Sequence, residues 1–348
     1  MASVSVLIRS MGRPSLQVAL ASIAAQTHPE IEVCVVAACG DAHPPVGDHC
    51  GPFPLRLVGN GRRLPRADAA NFGLDSAQGE FCVFLDDDDW HDPDHVAGLV
   101  ATAKAHPGLR LAYSRVRVIG ADGTVAAEFG QPYDRLELHD QNYIQMGAAL
   151  FERGLASNCR FDPGVGAYDD WDFFLQCSEC TDFAYRNHAS TNWCAEAGDS
   201  GAGSGGNFNA GVNAASRTAV HAKWATVREQ LVDKLIACVE SGYAAYRAGN
   251  VTEAARRYLE ALRIHSGDPY ALNFYAMLLA GRGDAARASA CLRRALISSP
   301  DRSDIACNLA RVEVSSGRRD EARKLLESVL QREPGNADAR GMLARLGH

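Results

Sequence analysis

The first two-thirds of the chain alternates short apolar runs with stretches of helical spacing. Val4-Ser5-Val6-Leu7-Ile8 reads as a buried strand, and Leu16, Ala19, Leu20 and Ile23 then fall at i, i+3, i+4 and i+7, the signature of an amphipathic helix. Ile31 to Val36 is a second strand and Leu55 to Val58 a third. Arg66 to Ala77 is a helix punctuated by Gly79, Phe81 to Leu85 a fourth strand, and Pro93 to about Lys104 the next helix. Strands alternating with helices predict an α/β domain with a mostly parallel sheet covered on both faces. Farther on, Leu111 to Val118 and Val125 to Phe129 flank Gly120-Ala121-Asp122-Gly123 as strand, turn and strand.

The last third follows a different rule. Gly249, Gly283 and Gly317 recur every 34 residues, with Ala254, Ala288 and Ala322 five residues behind them. Ala261 and Ala295 keep the phase, as do Pro300 and Pro334, and Gly242, Ala276 and Ala310 stand seven residues before each glycine. Small residues at a fixed 34-residue period, placed where paired helices must touch, resemble the tetratricopeptide repeat. Three units are expected at 235–268, 269–302 and 303–336, with a capping helix at 337–346. Such helix pairs bury their apolar faces only by stacking on one another, which leaves a concave groove. Tyr243, Tyr246, Tyr270, Phe274 and Tyr275 either pack between units or line that groove for a peptide or a second copy of the chain.

Composition narrows the classes. With 348 residues and 47% apolar content, the chain can hold one large domain and a smaller one. It has no apolar run of 18 residues and no basic, apolar leader, so neither a membrane span nor a secretory signal is expected. Eleven cysteines, mostly inside apolar runs, suit a reducing cytoplasm. Cys177 and Cys180 form a lone CxxC that reads as packing. The net charge of −7 is uneven: 19 basic against 15 acidic residues from Arg228 onward, and 16 against 27 before it. A domain that acidic is not built for nucleic acid.

The densest acid stands at one place. Asp86-Asp87-Asp88-Asp89 follows the fourth strand directly and precedes Trp90. Adjacent carboxylates are costly unless a cation shares them, so the run reads as a divalent-metal site completed by a phosphorylated ligand. The other reading is a solvated turn that caps the next helix, although Asp92-Pro93 supplies that cap by itself. Ligands of parallel sheets sit beyond the carboxyl ends of the strands, where these aspartates lie. A second cluster, Tyr168-Asp169-Asp170-Trp171-Asp172, opens an apolar helical run. Between 198 and 206 the chain is too glycine-rich for regular structure and reads as a lid or a linker.

Three blocks then coincide. Val6-Leu7-Ile8-Arg9-Ser10-Met11-Gly12-Arg13-Pro14 comes first. Arg66 to Leu74 leads into Phe84-Leu85-Asp86-Asp87-Asp88-Asp89, and Tyr168 to Asp172 follows. In this order and spacing they resemble the family 2 glycosyltransferases of the GT-A fold. The resemblance implies a Rossmann-like GT-A domain, placed at 1–227, followed by an all-α repeat domain at 228–348. It implies inverting sugar transfer from a nucleotide-diphosphate donor, with Mn²⁺ or Mg²⁺. By motif, Asp88 contacts the metal, Asp86 the metal's water shell or the ribose, and Asp87 belongs with the nucleotide-binding side chains. Asp170 matches the catalytic base, with Asp169 beside it; helix capping is the alternative for both. Arg66 and Asn71 match positions along the nucleotide, Ser10 faces it from the first strand, and His188 stands where some members supply a further metal ligand. Where the family carries Asp-Asp-Gly-Ser, this chain has Ala37-Ala38-Cys39-Gly40, with Asp41 as a substitute contact to the base.

Two functions of different class follow. The first is a metal-dependent glycosyltransferase acting on a peptide, protein or glycan acceptor, the repeats presenting the acceptor or pairing two copies. The second is an interaction protein whose repeats work on an inactive transferase scaffold. A nucleotidyltransferase would want a glycine-rich, lysine-bearing loop near the N-terminus, and Ser10 to Pro14 is not one.

Overall fold

The structure is a computed structural model that describes residues 2–196 and 208–347. The glycine run at 198–206 lies outside them. Contacts divide the chain into two units, one of Met1–Tyr133 and Leu138–Ala225, the other of Asp134–Glu137 and Thr226–His348.

The first unit is built on one mixed sheet. Its early elements are β1 (Val4–Ser10), α1 (Leu16–Ala24), β2 (Ile31–Ala37), β3 (His49–Cys50), β4 (Phe53–Val58), α2 (Arg66–Ser76), β5 (Phe81–Asp86), β6 (Trp90–His91) and α3 (His95–Ala105). Then come β7 (Leu111–Ile119), β8 (Val125–Phe129), α4 (Arg135–Asp140), β9 (Ala149–Glu152), α5 (Asp169–Ser178) and β10 (Phe183–Cys194). The strand order is β3-β4-β2-β1-β5-β9-β7-β10-β6, with β8 paired to β7. The parallel part expected from alternation is β4-β2-β1-β5. Beyond it β9 runs antiparallel to both β5 and β7, and β7 and β8 form the antiparallel pair. No strand was expected at β9, only four residues long, nor at β3, β6 or β10.

Side-chain alternation divides the core. Val4, Val6 and Ile8 of β1 point to the face covered by α1 and α3, where Leu16, Ile23, Val96 and Leu99 are buried with them. Leu7 points to the opposite face, with Cys82 and Phe84 of β5, Ala70 and Leu74 of α2, and Trp171, Phe173 and Phe174 of α5. The cap expected from Asp92 is made differently. Helix α3 starts three residues later with Asp94 at its N-cap, and the Asp92 carboxylate instead accepts from Arg117 (2.6 Å) and Asn192 (2.9 Å). Cys177 is buried in the last turn of α5, whereas Cys180 lies beyond that helix and is exposed.

The second unit is helical. Residues 226–247 of α6 (Ala210–Arg247) are followed by α7 (Val251–Ile264), α8 (Pro269–Gly281), α9 (Ala285–Ser298), α10 (Ser303–Ser315), α11 (Arg319–Arg332) and α12 (Ala337–Leu346). Gly249, Gly283 and Gly317 each sit between two helices at φ of 76°, 84° and 79°, a backbone that side chains disfavour. That requirement, met once per helix pair, is why glycine recurs at the 34-residue period. Ala254, Ala288 and Ala322 are fully buried, as are Ala261, Ala295, Ala276 and Ala310. A side chain at Gly242 would strike the Tyr258 ring at 2.6 Å. Of the aromatics, Phe274 packs on Tyr243 and Tyr258, while Tyr246 and Tyr270 stay half exposed.

One polar feature lies deep in the first unit. The rings of His91 and His95 stack at 3.9 Å, with His91 Nε2 on the Gly147 carbonyl (2.9 Å) and His95 Nδ1 on Ser190 Oγ (2.8 Å). Burial pushes His91 down to about 4 and His95 well below the ordinary histidine range, the neighbouring His91 adding to the latter. Both are therefore neutral when folded and gain protons on unfolding. Their contribution is complete above about pH 6.5 and is lost as pH falls toward the folded values. The melting temperature should decline over that window, and the His91→Phe/His95→Phe protein should show a shallower decline. Equal slopes in a pH series of thermal melts would contradict this.

Candidate active site

The acid run is held by register. Arg9 and Asp86 are paired residues on the adjacent parallel strands β1 and β5, so they project to the same face, the one that carries Leu7 and Phe84. Arg9 is 7% exposed and grips both oxygens of Asp86, Nε to Oδ1 at 2.8 Å and Nη2 to Oδ2 at 2.9 Å, with its guanidinium 5.7 Å from the centre of the Phe84 ring. Burial alone would raise the Asp86 pKa, yet Arg9 and then Arg66 hold it below the usual carboxylate range.

The next three acids turn back over the strand ends. Asp87 is buried; its Oδ2 accepts from Ser10 Oγ (3.0 Å) and the Met11 N–H (2.8 Å), and its Oδ1 from Arg13 (3.0 Å). The same Arg13 nitrogen reaches Asp88 Oδ2 at 3.0 Å. Burial, with Asp86 next in weight, pushes Asp88 up to about 6 against the pull of Arg13. Asp89 accepts from the Cys194 N–H (2.8 Å) and Gln145 (3.3 Å), and burial followed by Asp86 and Asp88 drives it well above its ordinary value.

The second cluster starts α5. Three acids, Asp169, Asp170 and Asp172, occupy the first turn, where the helix dipole favours negative charge. Neither Asp169 nor Asp170 is the N-cap, a place taken by Tyr168. Asp169 is fully buried, bound to Arg66 Nε at 2.9 Å, with Arg9 Nη1 4.0 Å from its other oxygen. Arg9 thus lies between the two acidic clusters. Asp170 accepts from the Trp171 N–H at 2.7 Å. Burial pushes it up to about 6; Arg66 pulls it down and Asp169 adds to the rise. The loop before α5 is pinned by residues 210–225 of α6. Ser216 Oγ accepts from the Ala167 N–H (3.0 Å), and Tyr168 donates to Asn213 (2.8 Å). Gly166 has φ of 67°, and a Cβ there would lie 2.5 Å from Ser216 Oγ.

These groups surround a cleft of about 920 Å³. Asp86, Asp87, Asp88, Asp170 and Arg66, all singled out in the sequence, line it together. Five other candidates do not. Ser10 is buried beneath the cleft, where it ties Asp87 to His43 Nε2 (2.8 Å). Asp169 is walled off behind Arg66 and Arg9. Asp41 is exposed in the turn after β2, its carboxylate beside Gly61. Asn71 uses its amide to clamp the Phe161 backbone at 2.8 and 3.0 Å. His188 is half exposed on β10, 3.5 Å from Asp94. Arg9 and Arg13 belong to the first motif without an expected role. The available signal was a cation closing an otherwise apolar strand next to a strand that ends in acids. Gln145, Trp193 and Arg217, also on the cleft wall, carried no such signal. Among the described residues, no three His, Cys, Asp or Glu side chains are arranged to enclose a metal ion.

Residues 5–144 match the family model described as Glycosyl transferase family 2, and residues 239–303 and 313–346 match models of the Tetratricopeptide repeat. The chain joins a family 2 glycosyl transferase domain to tetratricopeptide repeats. It is 25% identical over 187 residues to the uncharacterized glycosyltransferase YwdF of Bacillus subtilis, covering 51% of this chain and 68% of that one. It is 28% identical over 165 residues to the uncharacterized protein y4gI of Sinorhizobium fredii, covering 45% of this chain but only 18% of that protein. The solved structure of S. aureus TarS 1-349 overlaps 95% of this chain and 92% of its own, at 14% identity and a TM-score of 0.44. Among the described residues of this glycosyl transferase–repeat chain, no helix is long and apolar enough to cross a membrane.

Removing Arg9 leaves the Asp86 carboxylate in low dielectric without its paired cation. Arg9→Met should therefore destabilise the protein by about 3–5 kcal/mol in urea unfolding, and adding Asp86→Leu should recover part of the loss. A double variant no more stable than the single one would show that the pair is not what Arg9 supports.

Proposed function

We propose that the chain is an inverting glycosyltransferase that uses a nucleotide-diphosphate sugar and a divalent cation, Mn²⁺ or Mg²⁺. The observation that carries this reading is that Asp88 and Asp170, from different elements, line one cleft while their neighbours Asp86 and Asp169 are locked by arginines. These two cleft-facing acids, unlike Asp86, are not gripped on both oxygens and can serve two different tasks.

Asp88 fits a cation ligand. It is a cleft carboxylate with an affinity for positive charge that burial and Asp86 have raised. Asp86 fits less well as a direct ligand, since Arg9 occupies both of its oxygens. A cation held at Asp88 would supply charge neutralisation for the departing diphosphate. The remaining work belongs to the chain. Asp170 accepts the proton of the acceptor hydroxyl as that oxygen bonds to the anomeric carbon, while the bond from that carbon to the diphosphate oxygen breaks. A carboxylate titrating near 6 is ionised at neutral pH yet more basic than an ordinary aspartate, which suits this role. Arg66 keeps Asp170 from rising further and, at the cleft wall, also faces the phosphates. We place the transferase at residues 1–227 and the repeats at 228–348, the latter binding a peptide or protein acceptor or a second copy.

Asp88→Ala should abolish Mn²⁺-dependent donor binding in calorimetry while the thermal melt stays cooperative; undiminished binding would remove Asp88 from the cation site. Asp170→Asn should keep donor binding and lose at least about a hundredfold in transfer. For the wild type, kcat/KM should rise with pH through about 6 and then level off, because the base works ionised. Arg66→Gln removes a group that lowers the Asp170 pKa, so this rise should move to higher pH. An unmoved profile, or an active Asp170→Asn, would remove Asp170 as the base; no donor bound or turned over by the wild type would favour a scaffold role for the transferase domain.

A further inference from the structure

Two arginines neutralise the acid run, and they do so in unlike ways. Arg9 is 7% exposed and fixed on both oxygens of one carboxylate. Arg13 is 28% exposed, lines the cleft, and spans Asp87 and Asp88 through a single nitrogen. Asp87 is already held by Ser10 and the Met11 N–H. Asp88 has Arg13 standing on the carboxylate that the proposed function assigns to a metal ion.

Two cations cannot share that oxygen without mutual repulsion. The backbone around Arg13 is tied down: the Gly12 N–H donates to Ser10 Oγ (3.0 Å), the Met11 N–H to Asp87, and the Arg13 carbonyl accepts from the Leu16 N–H (3.1 Å). A change of partner is therefore a swing of the side chain and needs no movement of the loop. A guanidinium leaving Asp88 finds its best new partner in phosphate oxygens, which match its planar fork.

We propose that Arg13 is an exchangeable resident cation: it occupies Asp88 in the donor-free protein and transfers to the donor's diphosphate when a divalent cation takes Asp88. This rests on Asp88 as the cation ligand. Arg13 is then a specificity device as well as a phosphate contact. It raises the threshold for a bare metal ion and favours the metal that arrives with a diphosphate.

The test measures two affinities of the full-length chain. Free Mn²⁺ is titrated by electron paramagnetic resonance against the wild type, Arg13→Gln, Asp88→Asn and the double variant. UDP, GDP and dTDP binding at saturating Mn²⁺ is measured by calorimetry. Loss of an interaction at a partly buried pair is expected to give changes of about fivefold. Arg13→Gln should bind Mn²⁺ alone that much more tightly and the preferred nucleoside diphosphate that much more weakly. The opposite signs matter, because a merely structural role would weaken both. Unchanged or weaker Mn²⁺ binding in Arg13→Gln, with binding still lost in Asp88→Asn, overturns the exchange and leaves the metal reading standing. Tighter Mn²⁺ binding without any loss of nucleotide affinity overturns the transfer to phosphate. Wild-type Mn²⁺ affinity in Asp88→Asn sinks the metal reading, and the exchange with it.

Discussion

Everything in the transferase unit is arranged around a concentration of like charge at the end of β1 and β5. Six carboxylates, Asp86 to Asp89 with Asp169 and Asp170, stand in or against one cleft. Three guanidinium groups answer them: Arg9 on Asp86, Arg13 on Asp87 and Asp88, and Arg66 on Asp169. The compensation is incomplete, and the remainder shows where it falls short. Asp88, Asp89 and Asp170 are the members whose proton affinity is raised. Asp89 is satisfied by neutral donors from Cys194 and Gln145. Asp88 and Asp170 keep their excess and face the cleft, so the fold itself sets these two acids apart from the others.

Parallel pairing makes this separation reproducible. Register neighbours on parallel strands share a face, so a cation ending β1 and an acid ending β5 meet although 77 positions separate them. The N-terminus of α5 lies on that same face, which brings Asp169 within 4.0 Å of Arg9. One buried guanidinium thereby holds the two acidic clusters at a fixed separation. Residues 210–225 of α6 steady the second cluster from behind, through Ser216, Asn213 and the ion pair of Lys223 with Asp172 (2.9 Å).

Much of this was legible in the sequence, for identifiable reasons. Strands β1, β2 and β5 announced themselves because they are buried on both faces, and the acids after Phe84-Leu85 stood out against that background. The repeat helices were legible because a left-handed glycine and a buried alanine must recur in each pair. Strand β9 was hidden by its brevity. Position along a motif proved less informative than direction. Ser10, Asn71, Asp41 and His188 stand at places where a resemblance assigns ligand contacts. Yet Ser10 points under the cleft, Asn71 toward Phe161, Asp41 into solvent and His188 to Asp94. Arg9 was overlooked for the converse reason: nothing in a linear reading shows that its partner is 77 residues away.

The charge balance also bears on how a donor would enter. A nucleotide diphosphate carries several negative charges, and the cleft retains uncompensated carboxylates of its own. Arg9 is committed to Asp86, and Arg66 to Asp169, so neither can turn fully toward phosphate without exposing a buried acid. A bare diphosphate meets Asp88 and Asp170 beside the cleft-wall cations Arg63 and Arg217, and a bare metal ion meets Arg13 on Asp88. On the proposed reading, the species that satisfies both at once is the metal–diphosphate pair. It delivers positive charge to the carboxylate and phosphate oxygens to the displaced guanidinium in one binding event. A cleft lined with acids is in this sense selective for an anion, provided the anion brings its own cation.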